Sequence, residues 1–156
     1  MTPPFDRFVR RPWYGRMLSI DPGQTTGWAL WERQNNENPQ LVSAGQWYSF
    51  PKDKAIAEME GFFESKQVSY VVLEEYRIYK WKTDMHANSD VFTLRLIGMF
   101  EYFLGIRGIP IRYQGAGMAK GFCTDEKLKD WNFWHEGQRH ARDATRHGAY
   151  FWCTDS

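Results

Sequence analysis

With 156 residues, the chain is sized for one domain with a substantial apolar core. Twenty basic residues against nineteen acidic ones leave a net charge of +1, so bulk charge does not mark the whole chain as a polyanion binder. No apolar run approaches a membrane span, and the N-terminus lacks the apolar core of a signal peptide. Cys123 and Cys153 show no motif spacing and read as reduced thiols, so a soluble cytoplasmic protein with no membrane partner is expected.

The charge is local. Arg7, Arg10, Arg11 and Arg16 crowd the N-terminus, and Arg139, Arg142 and Arg146 crowd the C-terminus. Residues 1–15, with Pro3, Pro4 and Pro12 and no periodicity, read as a basic arm that is either disordered or laid on nucleic acid. Residues 16–156 read as the single domain. Aromatic residues make up 17% of the chain, eight of them Trp, more than an ordinary core requires, so some should be exposed for stacking.

Met17 to Asp21 alternates as a strand, and Pro22–Gly23 must stop or turn it, leaving Asp21 at the strand end. A second strand runs from Gly27 to Trp31, a polar loop from Gln34 to Gln40, and a third strand from Leu41 to Phe50. Lys52 to Lys66 has helical composition, with Ile56, Met59, Phe62 and Phe63 on one side. The β-branched run Val68–Tyr76 carries Glu74 and Glu75 at its end, and a basic, aromatic loop follows from Arg77 to His86. A long helix is expected over Asp90–Leu104, capped by Asn88 or Ser89, then a short strand over Ile109–Tyr113. Gly115–Trp134 is ambiguous, with helical character in T-D-E-K-L-K-D, and the last helix is expected over Glu136–Trp152. The order βββαβαβ followed by helices implies an α/β layer architecture, a mixed five-stranded sheet flanked by helices.

Three acids draw attention together: Asp21, Glu74 and Asp143. Glu136, His140, Asp143 and His147 share one stripe of the last helix, Arg139, Arg142 and Arg146 a neighbouring one, and Ala141, Ala144, Gly148 and Phe151 the apolar one, whose small residues let the helix sit close to the sheet. A helix stripe facing two strand-end carboxylates makes an acidic pocket suited to Mg²⁺ or Mn²⁺. The bland alternatives are turn chemistry for D-P-G and a solvated helix face with paired charges. Cys123, His135, His140 and Cys153 match no zinc spacing.

The strand I-D-P-G-x-x-x-T-G-W-A, the strand V-V-L-E-E-Y, N-S-D before a long helix, and the terminal H-x-x-D-A resemble the RuvC family of Holliday junction resolvases, most closely those of bacteriophages. The resemblance runs from Met17 onward. It implies an RNase H-like fold, a homodimer, and metal-dependent cleavage of two opposed strands of a four-way junction or other branched DNA by paired symmetric nicks. Asp21, Glu74 and Asp143 match the family's acids, with Glu75 as the alternative to Glu74. His140 stands where the family usually has a further acid, a replacement some members share, so Asp21, Glu74, His140 and Asp143 form the expected catalytic and metal set, holding two ions. Arg77, Lys80, Lys82, Arg139, Arg142 and Arg146 are the expected phosphate contacts. Tyr76, Tyr79 and Trp81 are candidates to stack on an unpaired base, although Arg77 occupies the position that best matches the family's aromatic. No nucleotide cofactor is expected, because a nucleotide-closing ATPase needs a second lobe. The remaining alternatives are a nuclease of the same fold acting on forks, flaps or RNA–DNA hybrids, and a non-catalytic DNA-binding relative.

Overall fold

Alternation of side chains along each strand sorts the sheet residues into two sets, and the helices cover both. The computed structural model describes residues 4–48, 52–76 and 83–154. The strands are β1 (Gly15–Asp21), β2 (Thr25–Arg33), β3 (Gln40–Tyr48), β4 (Tyr70–Glu75) and β5 (Ile111–Gly115). The helices are α1 (Lys52–Lys66), α2 (Thr83–Ile106), α3 (Ala116–Phe122), α4 (Asp125–Asp130) and α5 (Arg139–Trp152). The sheet order is β3-β2-β1-β4-β5. β1–β2 and β2–β3 are antiparallel, whereas β1–β4 and β4–β5 are parallel, so the sheet is mixed. Among the described residues no helix is long and apolar enough to cross a membrane.

Leu18 and Ile20 of β1, Leu30 of β2, and Val71 and Leu73 of β4 point to one side. There they pack with Met59 and Phe63 of α1 and with Leu96, Ile97, Phe100 and Leu104 of α2. Met17, Ala29, Trp31 and Val72 point to the other side and pack with Ala144, Ala149, Phe151 and Trp152 of α5. Ser19, Asp21 and Glu74 share the parity of this second set, which commits them to the α5 side.

Several boundaries differ from the sequence reading. The long helix begins at Thr83, so Asn88 and Ser89 lie inside it and not at its cap. Ser and Asn are tolerated within helices, and boundary signals of this kind are weak. The ambiguous stretch resolves into α3 and α4, with the Thr124 side chain capping α4 by accepting from Lys127 N at 3.3 Å. α5 begins at Arg139 because Gly137 takes a left-handed φ of 72° just before it. That removes Glu136 from the helical stripe; it instead accepts from Trp134 Nε1 at 2.8 Å.

The N-terminal stretch read as an arm packs on the domain from Phe5 onward. Phe5 is buried against Trp31, Trp131 and Phe133, next to a cavity of about 460 Å³ bounded by Pro39, Leu41 and Asn132. Arg10 N and Arg11 N donate to Trp152 O at 2.9 and 3.1 Å, and Arg11 Nε donates to Phe151 O at 2.8 Å. Basic residues here satisfy the open carbonyls and the negative dipole end of α5. The same packing accounts for the tryptophans, while Tyr14, Tyr48 and Tyr102 are exposed, as the aromatic excess predicts. Trp31, Trp47, Trp131 and Trp152 are buried and Trp13, Trp28 and Trp134 half-buried, so no described Trp is an exposed platform for stacking.

Candidate active site

Asp21 closes β1 where Pro22 and Gly23 end the strand, and the Thr26 hydroxyl donates to Gly23 O at 3.1 Å to brace the turn. Because β1 and β4 run parallel with Ile20 opposite Leu73, the ends carrying Asp21 and Glu74 emerge side by side. Glu75 has the opposite parity, so Glu74 is the glutamate that turns toward α5, where it meets His147.

Helix α5 is brought onto these strand ends by close contacts that only small residues permit. A Cβ on Gly27 would stand 1.9 Å from His140 O, and one on Gly148 would stand 2.0 Å from Trp31 Nε1. Ser19 Oγ donates to Ala144 O at 2.6 Å, and His140 N donates to Gln46 Oε1 at 3.0 Å. The helix therefore lies on β1 and β2, with His140, Asp143 and His147 facing the strand ends.

The site is tightly cross-linked. His140 Nδ1 lies 3.4 Å from Asp21 Oδ2, and His147 Nε2 lies 2.9 Å from Glu74 Oε2. Asp143 takes Arg146 Nε at 3.4 Å and Lys120 Nζ of α3 at 3.8 Å. Burial raises the Asp21 carboxyl to about 6, with the neighbouring Glu74 and Asp143 charges adding to the rise and the His140 hydrogen bond opposing it. Burial would raise Glu74 as well, but the hydrogen bond and charge of His147, a hydrogen bond with Asp21 and the charge of Lys120 outweigh it, so Glu74 titrates below its ordinary value. His140 is raised, chiefly by its hydrogen bond to Asp21.

Carboxylate oxygens with an imidazole are the donor set of a hard or borderline divalent cation, and a cation between Asp21, Glu74 and Asp143 would relieve the repulsion that lifts Asp21. Among the described residues no three His, Cys, Asp or Glu side chains enclose a common point; the acids and histidines meet in pairs.

Of the expected DNA contacts, Arg139 is exposed at the start of α5. Arg142 lies over the Trp134 ring, 4.5 Å from its centroid, and donates to His135 O at 2.7 Å. Arg146 departs from expectation: it is 7% exposed, and it donates to Cys123 O at 2.6 Å and to Asp125. Its guanidinium ties α5 to α3 and α4 and has no face left for a phosphate. Arg77, Tyr79, Lys80, Trp81 and Lys82 lie outside the described residues. The sequence reading placed His147 on the right stripe without a role and named Gly148 among the small residues that let the helix sit close to the sheet; it missed Lys120, Gln114 and the contact at Gly27. Four-residue spacing from Asp143 was the one signal for His147; Lys120 sits in the stretch that sequence left ambiguous.

No protein-family model matches the chain, and no curated protein matches it in sequence. Solved structures do resemble it. Thermus thermophilus RuvC in complex with a Holliday junction substrate aligns with a TM-score of 0.61 at 13% identity, over 86% of this chain and 91% of that one. The fowlpox virus Holliday junction resolvase aligns with a TM-score of 0.58 at 12% identity, over 88% and 96%. The yeast mitochondrial Holliday junction resolvase aligns with a TM-score of 0.57 at 13% identity, over 96% and 85%. At such identities the likeness speaks to architecture: the chain has the RNase H-like α/β fold of these resolvases.

Proposed function

We propose that this protein is a divalent-cation-dependent endodeoxyribonuclease that resolves four-way DNA junctions by paired, symmetric nicks. One observation carries the reading. Asp21, Glu74 and Asp143, drawn from β1, β4 and α5, lie at one end of a sheet whose fold is shared with junction resolvases, near enough for the charges of Glu74 and Asp143 to act on Asp21. Two Mg²⁺ or Mn²⁺ ions held by Asp21, Glu74 and Asp143, with His140 beside them, would supply Lewis-acid stabilisation of the attacking and leaving oxygens of the phosphodiester.

The chain's own groups do the rest. His140 Nδ1, next to Asp21, is placed to hold or pass a proton at the edge of the pocket. Lys120, partly exposed and facing Asp143, puts a positive charge where a phosphate would approach. Arg139 and the segment Arg77, Tyr79, Lys80, Trp81 and Lys82 would take the flanking backbone and the junction centre.

Paired nicks require two sites related by a two-fold axis, so the active form in this reading is a homodimer. Helix α2 offers the surface. Val91, Leu94, Tyr102 and Ile106 are exposed along it, and side-chain space beside Gly98 and Gly105 is open to a facing helix. The testing experiment is cleavage of a mobile four-way junction beside a fork, a flap and a linear duplex, with Mg²⁺ and with Mn²⁺. Symmetric nicking of the junction in preference to the others supports the reading. Preference for forks or flaps moves it to a sister nuclease of the same fold, and absence of cleavage on all four overturns it.

A further inference from the structure

His147 is enclosed beside the site, 1% exposed on α5. Both ring nitrogens are engaged: Nε2 is 2.9 Å from Glu74 Oε2, and Nδ1 is 3.0 Å from Gln114 Oε1. Gln114 is itself only 6% exposed, on β5, directly opposite Glu74 in the parallel register. An aliphatic pair would fill this space without burying two polar groups, so packing alone does not explain an imidazole and an amide here.

The hydrogen-bond roles follow from the partners. An ionised carboxylate can only accept, so the His147 nitrogen facing Glu74 must be the one that carries hydrogen. In the charged ring Nδ1 also donates, to Gln114 Oε1 as it stands, and the bond to Glu74 is the same; in the neutral ring Nδ1 accepts and requires a donor. Gln114 Nε2 is buried and, among the described residues, has no hydrogen-bond partner. A half-turn of that amide, which leaves its shape unchanged, carries Nε2 to Nδ1 and gives both atoms a partner. The chain Gln114–His147–Glu74 is then a directed relay of donors ending on the carboxylate, which also hydrogen-bonds Asp21.

We infer that His147 is a positioning residue: oriented by Gln114, it donates from Nε2 to Glu74 Oε2 and fixes the direction in which that carboxylate enters the pocket. The inference rests on the reading of Glu74 as a cation ligand given under Proposed function. Ligating carboxylates are commonly held in this way, and loss of such a partner typically costs about 10–100-fold in metal affinity or activity.

The test titrates MnCl₂ calorimetrically into the full chain and, separately, follows four-way-junction cleavage against Mg²⁺ concentration. His147→Leu should raise the Mn²⁺ dissociation constant and the Mg²⁺ midpoint by about 10–100-fold in protein that is still folded at the assay temperature. His147→Gln, whose amide nitrogen reaches the position of Nε2, should recover most of both. Wild-type Mn²⁺ affinity in His147→Leu overturns the inference, as does a matching loss in His147→Gln accompanied by lower melting temperatures. Should His147→Leu not fold, Gln114→Leu decides: it leaves the ring in place and should weaken Mn²⁺ several-fold, and no change overturns the inference. A wild-type protein that binds Mn²⁺ through His147-supported Glu74 yet cuts no branched DNA defeats the nuclease reading alone. A wild type that cuts junctions, an inactive Glu74→Gln and an unaltered His147→Leu defeat this inference alone.

Discussion

The two faces of the sheet are built on opposite terms. Under α1 and α2 the strands contribute Leu18, Ile20, Leu30, Val71 and Leu73, and the contacts are apolar packing that tolerates exchange of similar volumes. Under α5 the strands contribute Ser19, Asp21 and Glu74, and the helix contributes Thr145, Arg146 and His147. Each of those polar groups needs a partner at hydrogen-bond distance, which fixes the height and rotation of α5 far more narrowly than packing would. One face holds the domain together; the other uses that rigidity to hold Asp21 and Glu74 each against a histidine of α5 at one end of the sheet.

Substitutions on the two faces should therefore fail differently. Phe100→Ala, on the apolar face, should destabilise by about 3–5 kcal/mol, while the folded fraction keeps its cleavage rate. Chemical denaturation alongside junction cleavage checks both halves. Asp21→Asn or Glu74→Gln should do the reverse, cutting turnover at least ~10²-fold while junction binding survives. Full-rate cleavage by Asp21→Asn would remove the acids from the reaction.

Asp21 also couples the site to stability. A carboxyl raised from 3.8 to about 6 adds stability when protonated, fully below pH 3.8, and that contribution is lost as the pH rises through about 6. At pH 8 the ionised group thus weighs against the fold by up to ~3 kcal/mol. Asp21→Asn should raise Tm at pH 8 and change it little at pH 3.5. Mg²⁺ should likewise stabilise the wild type at pH 8 and Asp21→Asn much less. A Tm difference independent of pH would count against this electrostatic origin.

Gly27→Ala sharpens the comparison from the other side, since it touches neither an acid nor the apolar core. Its Cβ would collide with the His140 carbonyl, so the start of α5 must move away. About 1–3 kcal/mol of stability should go, together with an order-of-magnitude loss of cleavage. The matched control Gly98→Ala, where a Cβ meets open space, should leave the monomer's stability intact.

The smallest effect is expected at His140. Its raised pKa means that the ring protonates above its usual 6.5, and Asp21 protonates near 6, so activity should decline on acidification in two overlapping steps. His140→Asp should retain cleavage and lose the upper step, and His140→Ala should lose about tenfold without unfolding. A wild-type rate and pH profile in His140→Ala would reduce the residue to a bystander.

Much of this was legible in the chain itself. Period-two alternation revealed the strands, D-P-G the end of β1, and helical spacing the shared stripe of His140, Asp143 and His147, because these signals depend only on neighbours in sequence. The mixed five-stranded sheet followed from the order of the elements. Tertiary structure decided the rest. Alternation within V-V-L-E-E-Y could not choose between Glu74 and Glu75; the parallel pairing of β4 with β1 did, by matching their parity to Asp21. The C-terminal arginines were equivalent by spacing, until the approach of α3 and α4 buried Arg146 and left Arg139 outside. Gly27 carried no signal at all, since its meaning lies in a helix that arrives from more than a hundred residues away; Gly148 was readable as a small residue on a helix face set close to the sheet, and only the fold named Trp31 and Ser19 as its contacts. Local periodicity assigns a side chain to a face; only the partner that arrives at that face settles whether the residue catalyses, supports or packs.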